Sequence, residues 1–173
     1  MGYQANITIF IDQLDLMAQD SEFGKKISDA AVTKSVSSDY RKKPYPFYTK
    51  DTSGDDVLAG MVNAVHHSHD DITVTTDYTP DRDCANITLY LDATHRIAED
   101  TQFGARLAEA IETKAKIGPL DSYAERFNAK SDRCVCSAGT VTAVYKGDTE
   151  LTIETGGNTG KVVNSQKSKG YRL

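Results

Sequence analysis

The sequence predicts an α+β fold, a tandem duplication of a β-α-β-β unit with a mainly antiparallel sheet and helices packed on one face. Residues 5–34 align without a gap with residues 85–114, and twelve of these thirty positions are identical. The match resumes between residues 59–76 and 138–155, which sets a repeat of about 80 residues. Apolar residues recur every second position, and then every fourth, at the same places in both copies.

The 173 residues therefore divide into repeat one, residues 1–80, and repeat two, residues 81–173, which we call the first half and the second half. A single unit of this size leaves one sheet face and one helix stripe poorly covered. We therefore expect one compact body with a pseudo-twofold axis, in which each half completes the core of the other.

Each repeat begins with a predicted strand. Residues 6–12 alternate between two faces, and residues 86–92 keep the same period. Both strands contain an Asn-Ile-Thr triplet, at Asn6 and Asn86, that matches the N-glycosylation pattern. Because the triplets recur with the repeat and no signal-peptide pattern precedes them, we interpret them as strand ends.

A helix is predicted after each strand. Asp12 and Asp92 stand where an N-cap belongs, so their carboxylates are expected to accept exposed backbone N–H groups. A catalytic role for this pair is the alternative. Apolar residues spaced by four then predict helices that end near Val36 and near Lys116.

Further shared residues lie inside this helical region. Asp20 and Asp100 are predicted to cap a second helical segment. Gly24 and Gly104 follow just inside it. Because glycine in a helix costs about 1 kcal/mol relative to alanine, its presence in both copies predicts close packing against a neighbour rather than a phosphate contact.

Each repeat is predicted to end in a hairpin. The paired segments are residues 60–65 with 72–76, and residues 139–144 with 151–155. Before the hairpin, Pro44 and Pro46 exclude a regular helix from the first repeat, whereas residues 122–130 favour a short helix in the second. Residues 161–163 predict an additional edge strand.

The composition excludes several classes of protein. A net charge of −5 argues against broad nucleic-acid binding, which needs clustered Lys and Arg. No apolar run approaches the roughly 18–20 residues that span a bilayer, so we expect a cytoplasmic protein with no membrane partner. Three cysteines, an odd number, predict reduced thiols rather than a disulfide framework.

The loop of the first predicted hairpin is rich in histidine. His66, His67 and His69 lie next to two aspartates, a combination of ligands that transition metals accept. Their spacing matches no defined metal site, and the second repeat has no equivalent set. A polar surface turn, a ligand or partner contact, and a metal site are the three interpretations, and we predict a contact without a bound metal or cofactor.

Two other segments are candidate binding loops. RKKPYPFY mixes cations with aromatic rings, which suits either stacking on bases or a loop that packs its own rings. GGNTG, followed by a lysine, suits either an anion-binding nest or a tight turn. The candidate binding residues in these two segments are Arg41, Lys42, Tyr45, Tyr48, Gly156, Gly157, Asn158 and Lys161.

Because no catalytic motif is found, the leading hypothesis is a non-enzymatic binding protein. Small acidic proteins of this kind occur among phage and plasmid accessory genes, where some act as inhibitors of host defence by binding a host protein complex or sequestering a nucleotide. A nucleotide pocket is expected between the halves. Two alternatives stay open: a metal-dependent enzyme that uses the histidine-rich loop, and a self-assembling structural module that forms homo-oligomers.

Overall fold

The computed structural model describes residues 3–37, 43–67, 72–75, 83–146, 151–155 and 160–164. Its strands are β1 (Tyr3–Phe10), β2 (Tyr45–Lys50), β3 (Asp56–His67), β4 (Ile72–Thr75), β5 (Cys84–Tyr90), β6 (Glu125–Lys130), β7 (Val135–Tyr145), β8 (Leu151–Thr155) and β9 (Gly160–Asn164). Its helices are α1 (Leu14–Gln19), α2 (Phe23–Val36), α3 (Thr94–Glu99) and α4 (Phe103–Ile117), and 3₁₀ turns at Ile11–Gln13 and Leu91–Ala93 precede α1 and α3. These residues form an α+β protein, as predicted, with four helices and a six-stranded antiparallel sheet.

The six-stranded sheet has the strand order β2-β3-β1-β5-β7-β6, and every neighbouring pair is antiparallel. β1 and β5, the first strands of the two halves, form the central pair, with Ile7 directly opposite Ile87. These two residues occupy the same position in the two similar stretches of sequence. The strand order therefore reads the same from either edge when each strand is replaced by its counterpart in the other half.

All four helices pack on one face of this sheet, as predicted. Alternate residues of the central strands, such as Ile7, share one continuous core with Phe23 of α2 and Phe103 of α4. The ring of Phe23 meets that of Phe47 edge-on, with centroids 6.0 Å apart, and Phe103 meets Phe127 in the same way at 5.8 Å. The two halves therefore build the core with the same kinds of contact.

The helices cross between the halves, since α1 packs on α4 and α3 packs on α2. At each crossing a backbone carbonyl of one helix meets a glycine at the start of the other. A Cβ added at Gly104 would lie 1.8 Å from the carbonyl oxygen of Met17, and one added at Gly24 would lie 2.1 Å from that of Ile97. The prediction that these glycines mark close packing is confirmed.

The predicted helix ends near Val36 and Lys116 are also confirmed, because α2 ends at Val36 and α4 at Ile117. The apolar stripes of both helices are buried, for example at Phe103 and Leu107. In the part of the chain that the structure describes, no helix has the length and apolar character needed to cross a membrane.

The predicted N-caps at Asp12 and Asp92 are wrong. Each aspartate is the middle residue of a 3₁₀ turn, and the residues that precede α1 and α3 make no side-chain cap bond. The chain turns through these 3₁₀ residues before the α-helix begins, which moves the helix start along the chain. The predicted caps at Asp20 and Asp100 are wrong as well, because the N-caps of α2 and α4 are Glu22 and Gln102, which make no side-chain cap bond. The two aspartates instead accept the N–H groups of Glu22 and Gln102, at 2.9 Å and 3.0 Å, in the turns before the helices.

The predicted hairpins are wrong as well. β3 has β2 on one edge and β1 on the other, and β7 is likewise flanked by β6 and β5. The pairing with β1 covers Gly60–His67 of β3, and the pairing with β5 covers Gly139–Tyr145 of β7, so the strands of both predicted hairpins are paired along one edge within the six-stranded sheet. Instead, β4 pairs with β8 in a three-stranded sheet of order β4-β8-β9. The predicted edge strand at residues 161–163 is confirmed as part of β9.

The segments between helix and long strand are edge strands in both halves. Residues 122–130 do not hold the predicted short helix, because Glu125–Lys130 is strand β6. Its buried Phe127 and Ala129 alternate with exposed neighbours, a period of two that a helix does not have. In the first half, residues 45–50 form β2 rather than part of a loop, and the exclusion of helix by the prolines is confirmed.

Candidate functional site

A cavity of about 630 Å³ lies where the two halves meet, and we call it the seam cavity. The first half contributes the 3₁₀ turn after β1 and the start of α1, and the second half contributes α4 and the end of β7. Because α1 packs on α4, the cavity lies beside the helix crossing between the halves. Its lining residues are Ile11, Asp12, Leu14, Asp15, Ile111, Glu112, Ala115, Lys116, Val144 and Lys146.

The seam cavity combines an apolar floor with a charged rim. Leu14, Ile111 and Val144 are buried, whereas the charged lining residues are all exposed. Those charged residues are Asp12, Asp15, Glu112, Lys116 and Lys146. Small-molecule sites are typically clefts of about 300–1,000 Å³ with mostly apolar walls and a few polar groups that orient the ligand. The seam cavity has this size, and five of its ten lining residues are apolar.

Hydrogen bonds outside the seam cavity hold α4 and β7, which form one of its walls, in place. The N–H of Val144 donates to the carbonyl oxygen of Pro119 at 2.9 Å, which ties the segment after α4 to the end of β7. Nearby, the fully buried Lys114 donates from Nζ to Asp121 Oδ1 at 2.9 Å and also to the carbonyl oxygen of Tyr123. These hydrogen bonds therefore fix the backbone of the α4 and β7 residues that line the seam cavity.

The first half uses a buried lysine in the same place. Lys34, near the end of α2, donates from Nζ to the carbonyl oxygen of Lys43, just before β2. Burial lowers the pKa of Lys34. Each lysine therefore holds the segment that connects its long helix to an edge strand, which is a structural role.

The equivalent surface on the other side of the molecule carries different chemistry. When the gap-free alignment of residues 5–34 with 85–114 is continued by two positions, Glu112 corresponds to Val32 and Lys116 corresponds to Val36. Both valines are exposed, by 45% and 77%. The two halves therefore share their cores but differ in the charges around the seam.

Buried polar side chains lie on the sheet face opposite the helices, in the centre of the sheet. Thr8 Oγ1 donates to Asn86 Oδ1 at 3.3 Å, and Thr88 Oγ1 donates to Asn6 Oδ1 at 3.3 Å. Asn86 Nδ2 in turn donates to the hydroxyl of Tyr145 at 2.8 Å. The Asn-Ile-Thr triplets therefore lie in the middle of β1 and β5, and their interpretation as strand ends is wrong. A paired buried network of this kind fixes strand register.

A second cleft, of about 590 Å³, lies between the α3–α4 junction and the β6–β7 turn, and we call it the hairpin cleft. At its base, Asp100 accepts from Arg106 Nε at 2.9 Å and from the N–H groups of Gln102 at 3.0 Å and Lys130 at 2.9 Å. Burial by itself would raise the pKa of Asp100, but these hydrogen bonds outweigh it and the pKa falls below its usual value. Its lining residues are Glu99, Asp100, Thr101, Gln102, Arg106, Lys130, Ser131, Asp132 and Arg133.

The structure does not gather the sequence-predicted binding residues into one site. Tyr45 is half-buried against the core and Tyr48 is exposed on the edge strand β2, and neither lines the seam cavity. His66 and His67 end β3, opposite Gln4 and Tyr3, and Lys161 lies in β9. The remaining candidates lie outside the described residues: Arg41, Lys42, His69, Gly156, Gly157 and Asn158.

Potential metal ligands and cysteine thiols are spread over the described residues. They contain no group of three or more His, Cys, Asp or Glu residues placed to hold a metal ion. The three cysteines are free thiols, with Cys84 buried and Cys134 and Cys136 partly exposed. Arg96 Nη1 donates to the sulfur of Cys134, which fixes that thiol against α3.

Comparison of the chain with models of known protein families, with curated proteins and with solved structures gave no match. The geometry therefore has to carry any functional conclusion. The sequence predicts a pocket between the halves but does not identify the residues that line the seam cavity. The candidate binding residues predicted from the sequence include none of those that line the cavity, because the lining residues resemble the solvated charges and buried positions of ordinary amphipathic helices.

Proposed function

We propose that this chain is a non-enzymatic binding protein that holds a small ligand in the seam cavity. The observation that supports the proposal is the cavity itself, which lies between the halves, has an apolar floor and carries five exposed charged groups at its rim. Cavities at the junction of two units are common ligand sites. A rigid scaffold with different side chains at equivalent positions also suits a binding function.

The proposed ligand is a nucleotide or a molecule of similar chemistry. Its flat apolar part would rest on Leu14, Ile111 and Val144, and its phosphate would meet the ammonium groups of Lys116 and Lys146. Carboxylates such as Asp15 and Glu112 accept hydrogen bonds from sugar hydroxyls, as acidic residues do in other nucleotide sites. The mixture of charges at the rim favours such a ligand over a simple anion.

Sequestration of a nucleotide signal is the activity that we propose for such a site. The setting proposed from the sequence is a cytoplasmic phage or plasmid accessory protein that blocks host defence, and binding of a host protein complex is the other form of this proposal. We also propose that the two halves are copies of one unit related by an approximate twofold axis. The twelve shared positions and the pairing of Ile7 with Ile87 support that origin.

Thermal-shift and calorimetric titration with a panel of linear and cyclic nucleotides test this function. A ligand at about 100 times its Kd stabilises the folded state by about 2.7 kcal/mol. The double variant Lys116→Ala, Lys146→Ala should weaken binding by about tenfold or more, because each lysine–phosphate contact is charge-assisted. Lys25→Ala, on the exposed surface of α2, is the matched control and should bind like the wild type.

Absence of a shift with every nucleotide would reject the nucleotide proposal. Equal loss of affinity in Lys25→Ala and in the double variant would show that the contact is unspecific. Native mass spectrometry of the purified protein then distinguishes a bound small molecule from a macromolecular partner, because a retained small molecule adds mass that denaturation removes.

The two alternatives make different predictions. A metal-dependent enzyme requires a bound divalent ion and loss of activity on replacing His66, His67 and His69 by alanine. A self-assembling module requires pairing of exposed strand edges. Pro46 lacks an N–H on the edge strand β2, and charged side chains line the opposite edge strand β6, two features that discourage edge pairing of the six-stranded sheet. Light scattering that reports a defined oligomer would favour the module.

A further inference from the structure

The hairpin cleft holds a guanidinium group that is fixed at one end and exposed at the other. Arg106 donates from Nε to Asp100 Oδ2 at 2.9 Å, and its side chain is 33% exposed. Asp100 is 3% exposed and is itself held by two backbone N–H groups. Among the hydrogen bonds of the described residues, Arg106 uses only Nε for its side chain, so its two terminal nitrogens are available at the cleft.

The first half shows what the fold requires at this position. There the equivalent residue is Lys26, whose Nζ donates to Asp20 Oδ2 at 2.9 Å. Asp20 also accepts from Thr49 Oγ1 and from the N–H of Glu22, so it is satisfied in the same manner as Asp100. A lysine is therefore sufficient for the structural ion pair, but its ammonium group lacks the planar fork of N–H donors that a guanidinium group has.

Arg106 offers hydrogen-bond donors beyond the one that it uses in the ion pair with Asp100. Because its Nε makes the bond to Asp100, the two terminal nitrogens keep the planar fork of donors that matches phosphate oxygens. Lys130 and Arg133, both exposed, add two cations to the same cleft. In the turn of the first half, the position that corresponds to Arg133 lies among Asp51, Thr52 and Ser53, with no cation.

We propose that the hairpin cleft is a second ligand site, in which Arg106 binds a phosphate group of a polar ligand and Lys130 and Arg133 neutralise its charge. Glu99 and Asp132 also line the cleft and offer acceptors for hydroxyl or amino groups of the same molecule. The cleft, at about 590 Å³, exceeds the volume of a single phosphate, which agrees with a larger ligand. This site is separate from the seam cavity and does not depend on the function proposed for it.

The test uses the full chain and inorganic pyrophosphate as the probe, titrated while amide chemical shifts are recorded. We expect saturable shifts in residues 99–106 and 130–133. Arg106→Lys is the decisive variant, because Lys26 shows that this fold accepts a lysine paired with the buried aspartate. It should keep the urea unfolding midpoint of the wild type and weaken pyrophosphate binding by about tenfold, as expected for loss of a bidentate contact.

Lys116→Ala with Lys146→Ala serves as the control, because it removes the seam cations and leaves the hairpin cleft intact. Retained pyrophosphate shifts in this control, together with their loss in Arg106→Lys, would support the proposal even if no nucleotide binds the seam cavity. Shifts spread over all exposed lysines, or equal affinity of wild type and Arg106→Lys, would overturn it. Arg133→Ser should weaken binding less than Arg106→Lys, since no hydrogen bond or ion pair among the described residues fixes the Arg133 side chain.

Discussion

Replacing Gly104 by alanine sets two effects of opposite sign against each other. Helix propensity alone favours alanine by at most about 1 kcal/mol, the value for a helix interior, because Gly104 lies in the first turn of α4. The packing at the crossing of α4 with α1 opposes it, because the added Cβ would lie 1.8 Å from the carbonyl oxygen of Met17. An ordinary contact of this kind is 3.4 Å or longer, so the helices have to separate by more than 1 Å.

The packing effect should prevail. Overpacking of a well-filled core costs about 1–3 kcal/mol, and the high end applies here because the obstacle is backbone rather than a side chain that can rotate. Separation of the helices also loosens Met17 and Phe103, both fully buried. Subtracting the gain in propensity leaves a loss of about 2 kcal/mol in the free energy of unfolding.

Urea denaturation measures this loss as a lower midpoint at unchanged slope. Gly24→Ala is the matched variant at the other crossing, 2.1 Å from the carbonyl oxygen of Ile97, and should lose a similar amount. Gly54→Ala is the comparison without a packing clash, because its Cβ would have open space; its positive φ of 88° should still cost about 1 kcal/mol through backbone strain. A midpoint for Gly104→Ala at or above that of the wild type would refute the reasoning about the crossing.

Two further predictions concern buried charges. Burial by itself would raise the pKa of Asp20 and Asp100, but hydrogen bonds to each carboxylate lower the pKa below its usual value of 3.8. The ionised carboxylates therefore stabilise the folded state above pH 3.8, and this stabilisation is lost as the pH falls through the lower pKa of the folded state. Asp20→Asn with Asp100→Asn should therefore flatten the acid limb of stability against pH, and an unchanged limb would contradict this. Lys114→Met should cost about 1–3 kcal/mol, because the oxygens of Asp121 and Tyr123 lose their donor. Lys25→Met, which is exposed, should stay within about 0.5 kcal/mol in the same urea titration, and equal losses would refute a special role for Lys114.

Local sequence patterns predicted the strands and helices that place one apolar face against the core. Apolar residues recur at every second position in β1 and β5 and at every fourth position in α2 and α4. Both periods place apolar side chains against the core, and both can be read from the sequence alone. The shared glycines at positions 24 and 104 were informative because no local reason favours glycine inside a helix. Proline in β2 excluded helix correctly, yet it also concealed an edge strand, where a missing N–H is tolerated.

Strand pairing and the seam cavity depend on partners that are far apart in the sequence. The order of the sheet follows from which edges remain open after β1 pairs with β5, and no local pattern records that choice. Thr8 and Asn86 resemble a solvated strand face, although both are buried and paired with each other. Likewise, Asp15 and Glu112 each look like ordinary helix-surface charges, and only the fold brings them to the rim of one cavity.

The crossing of the helices between the halves has a consequence for how the chain is made. During synthesis α1 and α2 emerge first, yet their packing partners α4 and α3 are about 70 to 90 residues further along. The nascent first half therefore keeps apolar surface exposed for several seconds at about 5–20 residues per second. The β2–β3 hairpin closes locally and early, whereas the β1–β5 pair requires the two halves to meet. The final collapse should be a single late step of high contact order, with its slow rate set by that meeting rather than by any one helix.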